Sequence, residues 1–334
     1  MKLGIIGTGK IVHDALFAIE PLKDIRPGAI FARPHSRDKG EALAGQYSIP
    51  RVYTDYEGLL RDDGVDTVYI ALINSVHYEY AKKALAAGRH VILEKPFTGT
   101  YREAEELVSM ARDRDLFIFE AITVLHNEVM AKMREALPRL GRIRLMLANY
   151  SQYSGRYDRY LRGDVDPYFD PEHLGGALRD INVYNLHYAA ALFGAPQRTH
   201  YYPNRGFNGV DTSGAVILEY DGFVCVCAAA KDSDSPCFVS VQGEKGWMRI
   251  DGKPNAGPNL TVSVTDGGRA GSGLDYSGAA VRSFVTEEFV PAGVRHRLTA
   301  EFRAFADIIA RRDRVKADML ARETLDVMRI IDGL

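Results

Sequence analysis

Leu3-Gly4-Ile5-Ile6-Gly7-Thr8-Gly9-Lys10-Ile11-Val12 decides how the rest of the chain is read. Leu3 to Ile6 has the unbroken apolar character of a buried parallel strand. It runs into a glycine turn, and from Ile11 to Ile19 apolar residues recur at helical spacing. This is the strand-turn-helix setting of a dinucleotide-binding fingerprint. Gly7 would permit the tight turn and Gly9 would let backbone approach a pyrophosphate. Thr8, Lys10 and Ile11 would complete the cradle at the helix amino terminus, where free N–H groups and the positive dipole end favour an anion. Val12 occupies the place of the third glycine or alanine, and is expected to hold the helix slightly off the strand. Taken alone, the motif is explained almost as well by a plain tight turn.

Outward from this stretch the order strand, helix, strand, helix repeats. Strands are expected at Ala29–Ala32, Val65–Ala71, Val91–Leu93 and Leu116–Phe119, and helices at 38–47, through Ala87, and at 100–114. That alternation predicts an α/β fold with a doubly wound parallel sheet, whose ligands gather at the strands' carboxyl ends. At the end of the second strand an NAD-selective site would offer an acid to the ribose hydroxyl. This chain offers Arg33-Pro34-His35-Ser36-Arg37, which suits a 2′-phosphate and favours NADP over NAD; the competing reading is an arginine-rich surface loop. After the strand ending at Ala71, Asn74 either binds cofactor or caps a helix, and His77 either lines the site or packs in the first turn. Glu94-Lys95-Pro96 ends the next strand. By itself it reads most simply as a turn with a solvated ion pair, yet it delivers a lysine where ligands collect.

At 334 residues the chain is long enough for two domains, and its net charge of −2 gives no basic field for nucleic acid. Met1-Lys2 leads directly into the first strand and no apolar run reaches spanning length, so no signal peptide and no membrane association are expected. Cys225, Cys227 and Cys237 lie in strand-like sequence away from any histidine cluster. They read as thiols in a reducing cytoplasm rather than a metal site, and no metal is expected.

In the second half, the helical pattern from Asp180 to Phe193 puts Asp180, Tyr184 and His187 on one face, at i, i+4 and i+7. In an isolated helix these would be packing residues and an amino-terminal charge. The run Ser151 to Tyr160 mixes hydroxyls and charges with rings, so Tyr153, Arg156 and Tyr157 read either as sugar contacts or as anchors of a surface loop. Strands are expected at 142–150, 215–220, 223–230, 238–242 and 247–250, the later ones antiparallel, with closing helices at 298–310 and 318–331.

The glycine turn, Asn74-Ser75-Val76-His77, Glu94-Lys95-Pro96, Glu120-Ala121, Gly175-Gly176-Ala177-Leu178-Arg179-Asp180-Ile181-Asn182-Val183-Tyr184 and Gly243-Glu244-Lys245-Gly246 stand in sequential order over nearly the whole chain. On these segments the chain resembles the glucose-fructose oxidoreductase / inositol dehydrogenase (Gfo/Idh/MocA) family. The resemblance implies a Rossmann domain at 1–121 and an α+β substrate domain with a large open, mostly antiparallel sheet at 122–297. Helices at 298–334 would pack back on the first domain. It also implies NAD(P)-linked oxidation of sugars, cyclitols or dihydrodiols, a homodimer or other oligomer through the open sheet, and often a cis bond before Pro96.

The resemblance further implies a catalytic set of Lys95, Asp180 and Tyr184. With Tyr184 as the proton-exchanging group, its ordinary pKa of about 10 is too high for a base at neutral pH, and the Lys95 ammonium is expected to lower it. Tyrosine at this position resembles the glucose-fructose oxidoreductase, dihydrodiol and xylose dehydrogenase branches more than inositol dehydrogenase. Cofactor contacts are expected from Gly7, Thr8, Gly9, Lys10, Ile11, Arg33, His35, Ser36, Arg37, Ala71, Asn74, His77, Glu94 and Lys95. Substrate contacts are expected from Tyr153, Arg156, Tyr157 and His187. Leu125 departs from the arginine of the dihydrodiol branch, so no substrate is copied from it. Two other functions share the fold: a nucleotide-binding sensor, and a non-redox lyase or glycosidase that uses NAD within each cycle.

Overall fold

A computed structural model describes residues 1–274, 280–293 and 295–334. The chain begins as alternating strands and helices: β1 (Lys2–Ile6), α1 (Lys10–Ile19), β2 (Arg26–Phe31), α2 (Arg37–Tyr47), β3 (Val52–Tyr53), α3 (Tyr56–Leu60), β4 (Thr67–Ile70), α4 (His77–Ala86), β5 (His90–Glu94), α5 (Tyr101–Asp113) and β6 (Ile118–Ala121). The six strands form a parallel sheet in the order β3-β2-β1-β4-β5-β6, the doubly wound arrangement that the alternation predicts. In register, Ile6 pairs with both Phe31 and Ile70, Ile70 with Leu93, and Glu94 with Ala121. The carboxyl ends of β1, β4, β5 and β6 therefore lie side by side, which brings Gly7, Ala71, Lys95 and Ala121 to one edge.

The central strands are buried on both faces, so their side chains need no alternation. Leu3, Ile5, Ile6, Val68, Tyr69, Ile70, Val91, Ile92 and Leu93 are at most 1% exposed. Each such aliphatic side chain contributes about 1.5–3 kcal/mol relative to exposure. Val12 is fully buried in the same core as Leu3 and Ile5, so the branched residue is absorbed by packing.

The remainder comprises α6 (Glu128–Ala136), β7 (Ile143–Ser151), α7 (Tyr157–Leu161), α8 (Val183–Phe193), β8 (Arg198–Arg205), β9 (Asp211–Tyr220), β10 (Phe223–Ala230), β11 (Phe238–Gly243), β12 (Gly246–Asp251), β13 (Leu260–Leu274), β14 (Ala280–Phe289), α9 (Thr299–Arg311) and α10 (Arg314–Asp332). Its eight strands pair in the order β14-β13-β12-β11-β7-β10-β9-β8. All neighbours are antiparallel except β7 and β10, which run parallel and match Ser151 with Ala230. Helix α9 packs on α1, while α10 reaches α5, β6 and α8 and so ties the two halves together. Cys225 and Cys227 are free and buried in β10, where burial pushes both thiols up; Cys237 is free and half-buried.

Several elements depart from their expected bounds. The last parallel strand lies two residues later than 116–119 and so takes in Glu120 and Ala121. The edge strands β8 and β14 carry no clear apolar signature, because an edge strand needs neither a partner on each side nor two buried faces; β13, paired between β12 and β14, also lies outside the expected strands. The helix expected from Asp180 begins instead as a π-helical turn, Leu178–Asn182, before α8 takes up α geometry. Gly176 makes that entry possible: its φ is +109°, and an added Cβ would run into the Asp211 carboxylate, which accepts a hydrogen bond from the Leu178 N–H at 2.6 Å.

Candidate active site

One cleft of about 670 Å³ opens along the carboxyl ends of the parallel strands and continues to residues of the second half of the chain. Its first half is lined by the glycine turn. Gly7 has φ +124°, and a Cβ there would lie 2.5 Å from the Ala71 carbonyl oxygen, so this turn admits only glycine. Gly9 has extended backbone and nothing within 4 Å of a Cβ position. It caps α1 without a side-chain hydrogen bond and no acid occupies the first turn, so the helix amino terminus keeps its N–H groups for an anion. Thr8, Lys10, Ile11 and Ala71 complete this wall, together with Asp14, which the sequence had not singled out.

At the end of β2, Arg33, His35 and Ser36 line the cleft. Arg37 does not. It opens α2, is 64% exposed and pairs with Glu41 one turn on, so the expected contact is corrected; Lys39, two residues later, lines the cleft instead. Asn74 lines the cleft without capping a helix, its Nδ2 donating to the Leu174 carbonyl at 2.9 Å across the two halves. His77 is fully buried and outside the cleft, its ring nitrogens 3.0 Å and 3.1 Å from the carbonyl oxygens of Pro96 and Leu72. It holds the backbone behind Lys95 rather than touching a ligand. The Lys95-Pro96 peptide is cis.

The far half of the cleft is lined from both halves of the chain, by Lys95 and Ala121 from one and Tyr150, Asp180 and Tyr184 from the other. Lys95 Nζ lies 3.0 Å from Asp180 Oδ1, 2.7 Å from the Asp180 carbonyl oxygen and 5.4 Å from the centre of the Tyr184 ring. The other carboxylate oxygen of Asp180 lies 2.8 Å from Lys231 Nζ. Burial alone would raise the Asp180 carboxyl, but Lys95 and Lys231 hold it well below the usual range. Burial pulls Lys95 down, and the Asp180 and Tyr184 charges outweigh it, so the ammonium is held above its ordinary value. For Tyr184 burial wins: although Lys95 and Arg297 favour the phenolate, the phenol is pushed above its usual value, contrary to the net lowering expected from Lys95.

Glu94 is buried at the strand end and accepts the Tyr69 hydroxyl at 2.6 Å; burial raises its carboxyl. Behind it, Glu301 of α9 finds no hydrogen-bond partner among the described residues, and burial, with Glu94 nearby, pushes it well above the carboxylate range. Arg156 alone of the 151–160 candidates enters the cleft, 3.1 Å from Asp166 and stacked 4.7 Å from the centre of the Tyr168 ring. Tyr153 and Tyr157 turn away. Tyr153 donates to Asp158 at 2.6 Å, and Tyr157 packs on Tyr160 and Phe169. His187 lies seven residues, roughly 10 Å of helix rise, beyond Asp180 and does not line the cleft. It is fully buried, with Nε2 3.2 Å from Glu120 Oε2 but outside hydrogen-bond geometry, so it too is corrected to a core residue.

The sequence reading missed Tyr150, Tyr168, Asn255 and Arg297, which line this half, and Lys231 behind it. Tyr150 was within reach of sequence reasoning, because it closes the strand expected at 142–150, one residue before β7 ends. The others come from loops or turns with no local signature.

A dinucleotide groove that runs into a buried lysine, aspartate and tyrosine is the arrangement of a nicotinamide-dependent oxidoreductase. Residues 1–121 match the oxidoreductase family with NAD-binding Rossmann fold, and residues 130–249 match the GFO/IDH/MocA C-terminal domain. The chain belongs to the Gfo/Idh/MocA oxidoreductase family. It is 34% identical to scyllo-inositol 2-dehydrogenase (NADP(+)) IolU of Bacillus subtilis, over 75% of this chain and 76% of the relative. It is 29% identical to D-xylose 1-dehydrogenase (NADP(+)) 2 of Haloferax volcanii, over 100% and 96% of the two chains. The fold matches that of KijD10, a 3-ketoreductase from Actinomadura kijaniata solved with NADP and TDP-benzene, with a TM-score of 0.80, 24% identity, and coverage of 99% and 97%.

Proposed function

We propose that the protein is an NADP-preferring dehydrogenase or reductase acting on a secondary alcohol or carbonyl of a sugar, cyclitol or related diol. The observation that carries this reading is that Lys95, from the first sheet, and Tyr184, from α8, face one cleft that continues from the dinucleotide groove. The glycine turn and uncapped α1 terminus suit the pyrophosphate; Arg33, Ser36 and Lys39 suit the 2′-phosphate. When bound, the nicotinamide supplies the hydride donor or acceptor.

The chain's own part is proton handling and orientation. In reduction, the Tyr184 O–H protonates the carbonyl oxygen of the substrate, which suits a phenol that burial holds in its acid form. In oxidation, the same oxygen takes the proton back. Lys95 stabilises the negative charge that develops on the substrate oxygen and on Tyr184, and Asp180 fixes the lysine. Arg156, Tyr168, Tyr150 and Arg297 offer donors and ring faces to a polyhydroxylated ligand.

The division at 121/122 and 297/298, a cytoplasmic setting and a homo-oligomer belong to the same proposal. Free buried Cys225 and Cys227 support a reducing compartment, and no described helix is long and apolar enough to cross a membrane. A groove with exposed Trp247 and Phe284 beside Arg249 and Arg282 supports pairing through the second sheet.

The test is the near-ultraviolet absorbance of NADPH formed from NADP+ with scyllo-inositol, D-xylose and a wider panel of sugars and trans-dihydrodiols. Steady reduction with one of these supports the reading. A product formed with no net NADPH would replace it with a lyase cycle, and tight NADPH binding without any turnover would replace it with a sensor.

A further inference from the structure

Lys231 does not line the cleft, yet it is the second cation on the Asp180 carboxylate. It is the first residue beyond β10 and only 3% exposed. Its Nζ lies 2.8 Å from Asp180 Oδ2, donates to the Tyr168 carbonyl oxygen at 2.6 Å, and stands 4.2 Å from the centre of the Phe169 ring. Its backbone is fixed as well: the N–H donates to the Thr212 carbonyl, and the carbonyl accepts from the Ser154 N–H. A long, flexible side chain buried and held at this many points is there for its charge or its reach.

Charge balance separates those roles. Lys95 and Asp180 alone make a neutral pair, which exerts little field on its surroundings. Lys231 on the second oxygen turns the pair into a buried triad with one net positive charge, where screening by water is weak. We propose that Lys231 is a positioning residue for proton exchange at Tyr184: by claiming one oxygen of Asp180 it keeps Lys95 from being neutralised and holds the cluster beneath the phenol positive. The inference rests on the reading of Tyr184 given above. The other charged or titratable groups facing Tyr184 are Arg297, which favours its phenolate, Glu94 and Asp180, which oppose it, and Tyr150, whose ring lies 5.8 Å away. Losing one buried cation from this cluster shifts the balance further against the phenolate.

The experiment compares Lys231→Gln, which keeps a donor but not the charge, with Lys231→Arg, which keeps the charge. Two readouts serve: the pH profile of kcat/KM for NADP+-dependent oxidation of scyllo-inositol or D-xylose, and the ultraviolet phenolate titration of the NADP+-bound protein, taken as a difference from Tyr184→Phe. NADPH fluorescence titration verifies that each variant is folded, and Lys231→Met carries the same expectation should the glutamine variant bind no NADPH. The Gln variant is expected to move the alkaline rise upward by about half a pH unit or more, a loss of ~3-fold or more at fixed pH below it, while Arg stays with wild type. A Gln profile superimposed on wild type, or equal shifts in Gln and Arg, overturns the inference. A fully active Tyr184→Phe would instead overturn the reading beneath it.

Discussion

Lys95 and Asp180 stand 85 residues apart in sequence and meet at 3.0 Å, joining the end of a parallel strand to the π-helical turn that opens α8. The contact makes one site of two halves, and Asp180 contributes both its carboxylate and its backbone carbonyl to the lysine.

Lys95→Met is expected to lower kcat by about 10²–10⁴-fold while leaving NADPH affinity close to wild type. Asp180 retains Lys231, so the fold survives the change. Steady-state kinetics together with nicotinamide fluorescence titration check this, and wild-type turnover would remove Lys95 from the chemistry.

Tyr184→Phe is expected to reduce kcat by ~10²-fold or more with little change in KM, because the hydroxyl acts in the transition state more than in binding. The pH dependence follows from the raised phenol. Carbonyl reduction needs the acid form, so it should stay level through neutral pH and fall only above the ordinary phenol value of about 10; alcohol oxidation should rise over the same range. A reductive activity that already declines at neutral pH through Tyr184 would contradict this.

Arg33→Ala and Lys39→Ala should each weaken NADPH by about 10-fold or more and leave NADH nearly unchanged, since a charge-assisted hydrogen bond is worth ~1.5–3 kcal/mol. Arg37→Ala should change neither affinity, its exposed pair with Glu41 contributing about 0.3–0.5 kcal/mol. Parallel titrations with both coenzymes decide. Equal losses for NADH and NADPH would mean that these cations hold something other than the 2′-phosphate.

Gly7→Ala and Gly9→Ala should separate folding from binding. The first forces an alanine into φ +124° against the Ala71 carbonyl, costing at least ~1–3 kcal/mol, and should lower Tm. The second adds a methyl in open space at the cleft wall, so Tm should hold while NADPH affinity falls. Thermal melts with and without NADPH distinguish them, and an unchanged affinity in Gly9→Ala would move the pyrophosphate elsewhere.

Asp180→Asn should lower Tm at neutral pH, because it leaves two buried ammonium groups without their anion. The wild-type carboxyl is depressed in the fold. Its contribution is therefore complete above the unfolded value of about 3.9 and is lost as pH falls through the folded value. The Tm gap between wild type and variant should be constant above about pH 5 and narrow below about pH 4. A gap that widened in acid would contradict the depressed carboxyl.

That the glycine turn and Lys95 stand at strand ends lining the cleft could be read in advance because the signal for each is local. Tyr184 was legible only through its spacing to Asp180 within a motif. His187 obeyed the same spacing and failed, since a helix face says nothing about where a cleft ends. Arg37 failed for a related reason: the three-residue turn Pro34–Ser36 and the start of α2 decide which cation faces inward, and Lys39 takes that place.

By itself, the sequence determined the elements whose signal lies within a few residues. These are the period of strands and helices, the glycine that alone tolerates its turn, and the strand ends where a ligand could bind. Only the tertiary structure decided the cluster at the far end of the cleft. The parallel pairing of β7 with β10 sets Ser151 beside Ala230 and so delivers Lys231 to Asp180, while the return of α9 onto α1 brings Arg297 over the site. Charges so far apart along the chain acquire a common electrostatic role only when packing removes the water between them.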